Sequence, residues 1–175
     1  MGQGQVPVKP RIWRMLLVVS LFFLLTIYGT FLISTRDPLF FLSGFDVLPD
    51  RVVVYDAGQQ TEYLPGQPGY DLLAESIRSS LDQGVARQTG IGMGQQSLQD
   101  ALEKYLTVEA YFNQPVKLHA NFSTGNPTRM LFPITGRHSE LSVIFLAGEG
   151  DYMSNGPALK NLQPLRDALA ALGYQ

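Results

Sequence analysis

No charge interrupts the chain from Met15 to Ser34 (MLLVVSLFFLLTIYGTFLIS), and bulky apolar side chains fall on every face of that run. Its twenty residues, at 1.5 Å each, cover about 30 Å, the thickness of a bilayer's hydrocarbon core, so the pattern predicts a membrane-spanning helix over 15–35. A cleaved signal peptide shares this outline, but the run is longer than a usual signal core and no Ala-x-Ala-like pair follows it. Thr26, Gly29, Thr30 and Ser34 recur at spacings of three and four, which gathers the small and hydroxylated positions on one helical face where a second helix could approach. Each hydroxyl can equally bond back to the carbonyl one turn earlier, which needs no partner.

Beyond Asp46 the apolar positions become periodic and Gly and Pro punctuate them, which predicts several short elements in place of a helical bundle. The β-branched run Val52 to Tyr55 and the return over Thr61 to Leu64 predict a hairpin. Tyr70, Leu73, Ile77 and Leu81 line one face of a helix stopped by Gly84. A linker over Gly90 to Gln96 precedes a second helix over 98–106, opened by a capping box of Ser97 with Asp100. The stretch Thr107 to Phe122 alternates on both sides of Asn113 to Pro115 and predicts the clearest hairpin in the chain, with Val116, Leu118, Ala120 and Phe122 inward on its second arm. Arg129 to Ile134 and Leu141 to Ala147 predict another hairpin. A last helix, capped by Asn161 and stopped by Gly173, carries Leu162, Leu165, Leu169 and Leu172 on one face. The order ββααββββα describes an α+β domain, an antiparallel sheet with helices on one face. The chain thus divides into a tail (1–14), the helix (15–35), a juxtamembrane segment (36–46) and a domain (47–175).

Charge adds direction to this layout. Lys9, Arg11 and Arg14 precede the apolar run with no acidic residue among them, whereas Arg36 and Asp37 cancel beyond it, so the tail is expected to be cytoplasmic and the domain extracytoplasmic. Ten Lys/Arg against 15 Asp/Glu after Thr35 leave that domain at −5, without the basic footprint that a phosphate backbone needs, so nucleic acid is not an expected partner. The absence of cysteine excludes disulfide scaffolds, thiolate metal sites and cysteine nucleophiles.

Candidate chemistry is sparse. His119 shares the outward face of its expected strand with Lys117 and Asn121, which reads as a solvated histidine, and His138 sits in a polar turn beside Ser139, whose hydroxyl a sequence neighbour cannot easily reach as a base. A hydrolase using His138 with a distant carboxylate is the alternative. The glycines from Gly90 to Gly94 lack the strand before and the Gly-Lys-Ser/Thr after that a phosphate cradle requires. Glu149, Asp151 and Asn155 offer oxygen ligands in one loop, without the spacing of a calcium-binding loop, and would serve a small-ligand or ion sensor. No cofactor and no metal are expected. Asn121 to Ser123 matches a glycosylation acceptor, relevant only in a eukaryotic secretory pathway. Tyr111 and Tyr152 are expected at the surface and, with Phe40 and Phe41 of the apolar segment Pro38 to Phe45, form the candidate interaction surface. With the lipid bilayer and a membrane or envelope protein as partners, the sequence favours a non-catalytic interaction or regulatory module.

Overall fold

The structure, a computed structural model, describes residues 12–42 and 44–174. Most of the tail, including Lys9 and Arg11 of the orientation argument, lies outside the described residues. The first element is α1 (Ile12–Thr35), in which only Thr35 is buried, so most of its apolar surface has no protein cover. It is long and apolar enough to cross a membrane.

The rest is an α+β domain. Its main sheet runs β2 (Gln59–Tyr63), β1 (Arg51–Asp56), β4 (Thr107–Tyr111), β5 (Arg129–Pro133) and β6 (Phe145–Ala147), antiparallel throughout. A two-stranded ribbon of β3 (Val85–Ile91) and β7 (Gly156–Leu159) joins it beside β6, where Val143 bridges Ala158. Of the helices, α2 (Tyr70–Asp82) and α4 (Gln163–Ala171) supply Leu73, Ile77, Leu165 and Leu169 to the large core that also takes Val52, Val54, Val108, Met130 and Phe132. The helix α3 (Gln95–Glu103) lies on the opposite face, where Leu98 and Leu102 pack on Leu131 and Phe145. Because both faces are covered, the central strands read as continuous apolar runs such as Val52-Val53-Val54, all three buried.

Both expected hairpins over 51–64 and 129–147 form, and α2 ends at Gly84 (φ +84°) as its pattern requires. The last helix ends in a Schellman motif: Tyr174 N–H donates to Leu169 O at 3.0 Å and Gly173 N–H to Ala170 O at 3.1 Å, with Gly173 at φ +92°. Asn161 Oδ1 accepts from Gln163 N–H at 2.8 Å at its start.

Three local expectations are corrected. The arm 116–122 is extended, with Val116, Leu118 and Ala120 buried, but it is not a strand, because β1 and β5 already occupy both edges of β4. The linker over 90–96 is partly the end of β3, an irregular ribbon strand in which Gly90 (φ +69°) marks a bulge and whose polar, mostly exposed residues hide the strand period. The Ser97 and Asp100 capping box is not formed: α3 begins at Gln95 behind an extended Gly94, and the Asp100 carboxylate pairs with Lys104 at 2.7 Å.

Candidate functional site

The register of the sheet assembles a polar cluster on the face away from the large core. Pairing sets Arg51, Tyr111 and Arg129 in one cross-strand row and Val53, Glu109, Leu131 and Phe145 in the next. Glu109 therefore sits mid-sheet, 4% exposed, with Tyr55 and Tyr111 on flanking positions. The Tyr55 hydroxyl donates to its Oε2 at 3.1 Å and the Tyr111 hydroxyl at 2.8 Å. A third phenol comes from the loop after β6, where the bridge between Ala147 and Tyr152 turns the Tyr152 hydroxyl onto Glu109 Oε1. Arg129 Nε lies 3.5 Å from the same oxygen, so one buried carboxylate is met by three phenols and a guanidinium.

Burial and the negative charge of Glu109 push the Tyr55 and Tyr152 phenols far above their ordinary value of 10.0. Tyr111 moves the same way, through burial and its hydrogen bond to Glu109. At neutral pH these phenols stay protonated and serve as hydrogen-bond donors to Glu109. Beside it opens a cleft of about 470 Å³ bordered by Arg51, Tyr111, Thr128, Arg129, Asp50 and Glu149. The Arg51 guanidinium lies 3.8 Å over the Tyr111 ring and that of Arg129 5.0 Å over the Tyr152 ring, which stiffens both cations at the cleft wall.

Tyr111 and Tyr152 are thus half-buried, not the exposed aromatics that strand alternation implies. The second face of β4 is covered by the loop carrying Tyr152, which no period in the sequence announces. The same alternation puts Glu109 outward beside Tyr111, whereas the structure buries it. Its signal is a charge inside a strand, Thr107–Tyr111, whose neighbours are otherwise uncharged.

A second cluster joins α1 to the domain. Arg36 leaves the helix with φ +54°, and Asp37, 3% exposed, accepts from Leu39 N–H at 3.0 Å and pairs through Oδ2 with His119 Nδ1 at 2.7 Å. Lys117 Nζ lies 3.6 Å from the other carboxylate oxygen and donates to Arg36 O at 3.0 Å. Burial raises the Asp37 pKa, but the His119 hydrogen bond, the Leu39 amide and the proximity of His119 and Lys117 outweigh it, and the net shift is downward. His119 is therefore a clasp on the residues that leave the helix instead of a solvated strand residue, because 116–122 is extended but unpaired and its Lys117 and His119 reach Arg36 and Asp37. Eight residues on, Phe45 enters the large core edge-on to Phe112, with its N–H on Asp82 Oδ1 at 3.0 Å.

The other singled-out residues stay apart. On α1, Thr26 Oγ1 donates to Phe22 O at 2.8 Å and Thr30 Oγ1 to Thr26 O at 2.9 Å, while Ser34 is exposed and nothing approaches Gly29. Phe40 stacks on Phe31 at 5.1 Å, and Phe41 is exposed. His138 lines a cavity of about 60 Å³ with Ser97 and Asp100, room for a couple of waters. Burial and the charge of Arg137 lower its pKa, and its ring meets Phe145 edge-on at 5.7 Å. The Asp100 carboxylate is held by Lys104, and the Ser139 hydroxyl donates to Gly136 O at 2.8 Å, so the described hydrogen bonds link no nucleophile to His138. Glu149, Asp151 and Asn155 are exposed, and no group of three or more metal-ligating side chains converges among the described residues. No protein family, curated protein or solved structure matches this chain.

Proposed function

We infer that the chain is a single-pass membrane protein, with α1 as its span, a cytoplasmic tail and an extracytoplasmic domain, and that this domain is a non-catalytic interaction or regulatory module of a membrane or envelope complex. The observation that supports this reading best is the clasp of Asp37, His119 and Lys117, which fastens the domain directly to the end of its anchor. A domain fastened in this way presents its surface at a set height and orientation to a neighbour in the same membrane, which lowers the ordering cost of association. An enzyme acting on diffusing substrates gains little from such a junction. The cleft wall of Arg51, Tyr111 and Arg129 adds residue types that anchor interfaces.

Two measurements test this. Because the chain has no cysteine, Ser154→Cys, at an exposed position, is expected to react with a membrane-impermeant maleimide on intact cells; labelling only after lysis overturns the orientation. In a cross-linked pull-down from membranes, the native chain is expected to retain a stoichiometric partner. Replacing Thr26, Gly29, Thr30 and Ser34 together by leucine keeps the anchor and removes its small face. Loss of the partner in this variant assigns the contact to the span, and its retention assigns it to the domain. The same yield of nothing from both samples overturns the interaction reading.

A further inference from the structure

Large apolar side chains exposed outside α1 are not spread evenly over the domain. Of the eight among the described residues, five (Leu39, Phe41, Leu42, Val47 and Leu48) fall within thirteen residues of the helix end. A chance scatter of single surface hydrophobics would not gather them there. The segment that carries the first three is also shaped. It is pinned at Asp37 by the clasp and at Phe45 by the core, and between these two points it folds back on the helix. The Tyr28 hydroxyl donates to Pro38 O at 3.1 Å, and the Phe40 ring stacks on Phe31 at 5.1 Å and an interplanar angle of 15°. Phe40 is thereby spent on the protein, whereas Phe41 is 62% exposed, with its ring edge-on to that of Phe40.

This fold-back fixes a depth. Tyr28 to Thr35 are the last two turns of α1, so the segment beside them lies within about 12 Å of the helix end, measured back along its axis. If α1 crosses a bilayer, those two turns occupy the outer part of the hydrocarbon and its boundary with the headgroups, and whatever lies alongside them shares that layer. Polar groups also border this segment. The cleft of about 210 Å³ lined by Phe40 to Leu42 is also bordered by His119, Asn121 and the exposed Lys160, polar groups suited to phosphate and ester oxygens.

We propose that Leu39, Phe41 and Leu42 form a collar inserted into the outer leaflet around the emerging helix, so that the domain sits on the lipid surface and does not stand clear of it. The partner of this apolar surface is the bilayer itself, and the argument for it is continuity with the span. The proposal rests on the reading of α1 as a membrane span. It also gives the clasp a further role, in which Asp37, His119 and Lys117 hold the domain down while the collar fills the space at the helix exit.

The test uses the single tryptophan of the chain. Trp13 lies near the other end of α1 and reports the span in the native protein. The full-length double variant Trp13→Phe, Phe41→Trp moves the probe to the collar. Both proteins are reconstituted into phosphatidylcholine vesicles carrying bromine at defined depths along the acyl chains. The indole at position 41 is expected to emit to the blue of an aqueous indole, to be quenched most by the shallowest bromines, and to be protected from iodide. A protein in which Trp13 is quenched by lipid while the indole at 41 emits as in water and is quenched by iodide keeps the span and overturns the collar, leaving that surface for a protein. A native chain that washes off the vesicles at alkaline pH, with Trp13 untouched by brominated lipid, overturns the span and the collar with it.

Discussion

Glu109→Leu is expected to destabilise the domain by about 3–5 kcal/mol, because it strands several buried donors at about 1–3 kcal/mol each. The leucine fills the space but accepts nothing. The hydroxyls of Tyr55, Tyr111 and Tyr152 lose their common acceptor, and Arg129 loses the carboxylate beside its Nε, which has no other partner. Glu109→Gln keeps one acceptor oxygen and the shape, so its cost should stay nearer the about 1–3 kcal/mol of an unsatisfied buried group. Denaturant unfolding of the full chain in detergent, followed by far-ultraviolet circular dichroism, measures both. Equal stabilities for the native protein and the leucine variant would show that the cluster holds nothing together. The phenols supply a second readout. Their folded pKa values lie above the ordinary 10.0, so the stability they contribute is complete below pH 10.0 and falls as the pH climbs from there towards the folded values. Absorbance titration of the native chain should leave these three phenols un-ionised after the exposed ones have titrated, and Glu109→Leu should bring Tyr55 and Tyr111 back towards the ordinary value. A different pair, Tyr63 and Tyr174 with hydroxyls 2.8 Å apart, has Tyr63 pushed up to about 12 by burial first and then by its partner.

How far the sequence discloses all this depends on whether an element is specified locally. The apolar run of α1, the hairpins over 51–64 and 129–147, and the helices stopped at Gly84 and Gly173 carry their own periods and stop signals, and all were legible. The arm 116–122 shows the opposite case. An extended segment packed on a core buries every second residue just as a strand does, so period two reports burial and not ladder pairing. Only the sheet order, which gives both edges of β4 to other strands, decides between them. The ribbon strands β3 and β7 contain Gly90 and Pro157, residues that sequence reasoning assigns to loops, and their pairing spans some seventy residues.

The sites failed for a related reason. A strand position reads as outward when only one face of its sheet is assumed to be covered, and that assumption places Tyr111 and Glu109 together in solvent. Both faces are in fact covered, one by α2 and α4 and the other by α3 and the Tyr152 loop. The clasp depends on residues 82 positions apart, Asp37 and His119, that share no pattern. What was legible was the surplus apolar segment after the helix, and the structure divides it into Phe40 turned inward and Phe41 turned outward.

The clasp carries the second large effect. Asp37→Ala removes the acceptor of His119 Nδ1 and the Leu39 amide and leaves Lys117 with only the Arg36 carbonyl, so a loss of about 1–3 kcal/mol is expected. The more telling consequence is geometric. With Asp37 gone, α1 and the domain remain joined by the chain and by Phe45 but lose the cross-link that sets their angle. Spin labels on Ile33→Cys and Ser154→Cys, both at exposed positions in a chain without native cysteine, report that angle as a distance distribution. It should be narrow in the native background and broad in Asp37→Ala. Acid should imitate the mutation with a defined sign. The folded Asp37 pKa lies below its ordinary 3.8, so its contribution is complete above pH 3.8 and disappears as the pH falls through the lower folded value. The loss of the Asp37 charge should therefore broaden the native distribution in strong acid, where Asp37→Ala broadens no further. A native distribution as broad as that of the variant at pH 7 would mean that the domain swings freely on its anchor, which removes the support for a surface held at a fixed height above the membrane.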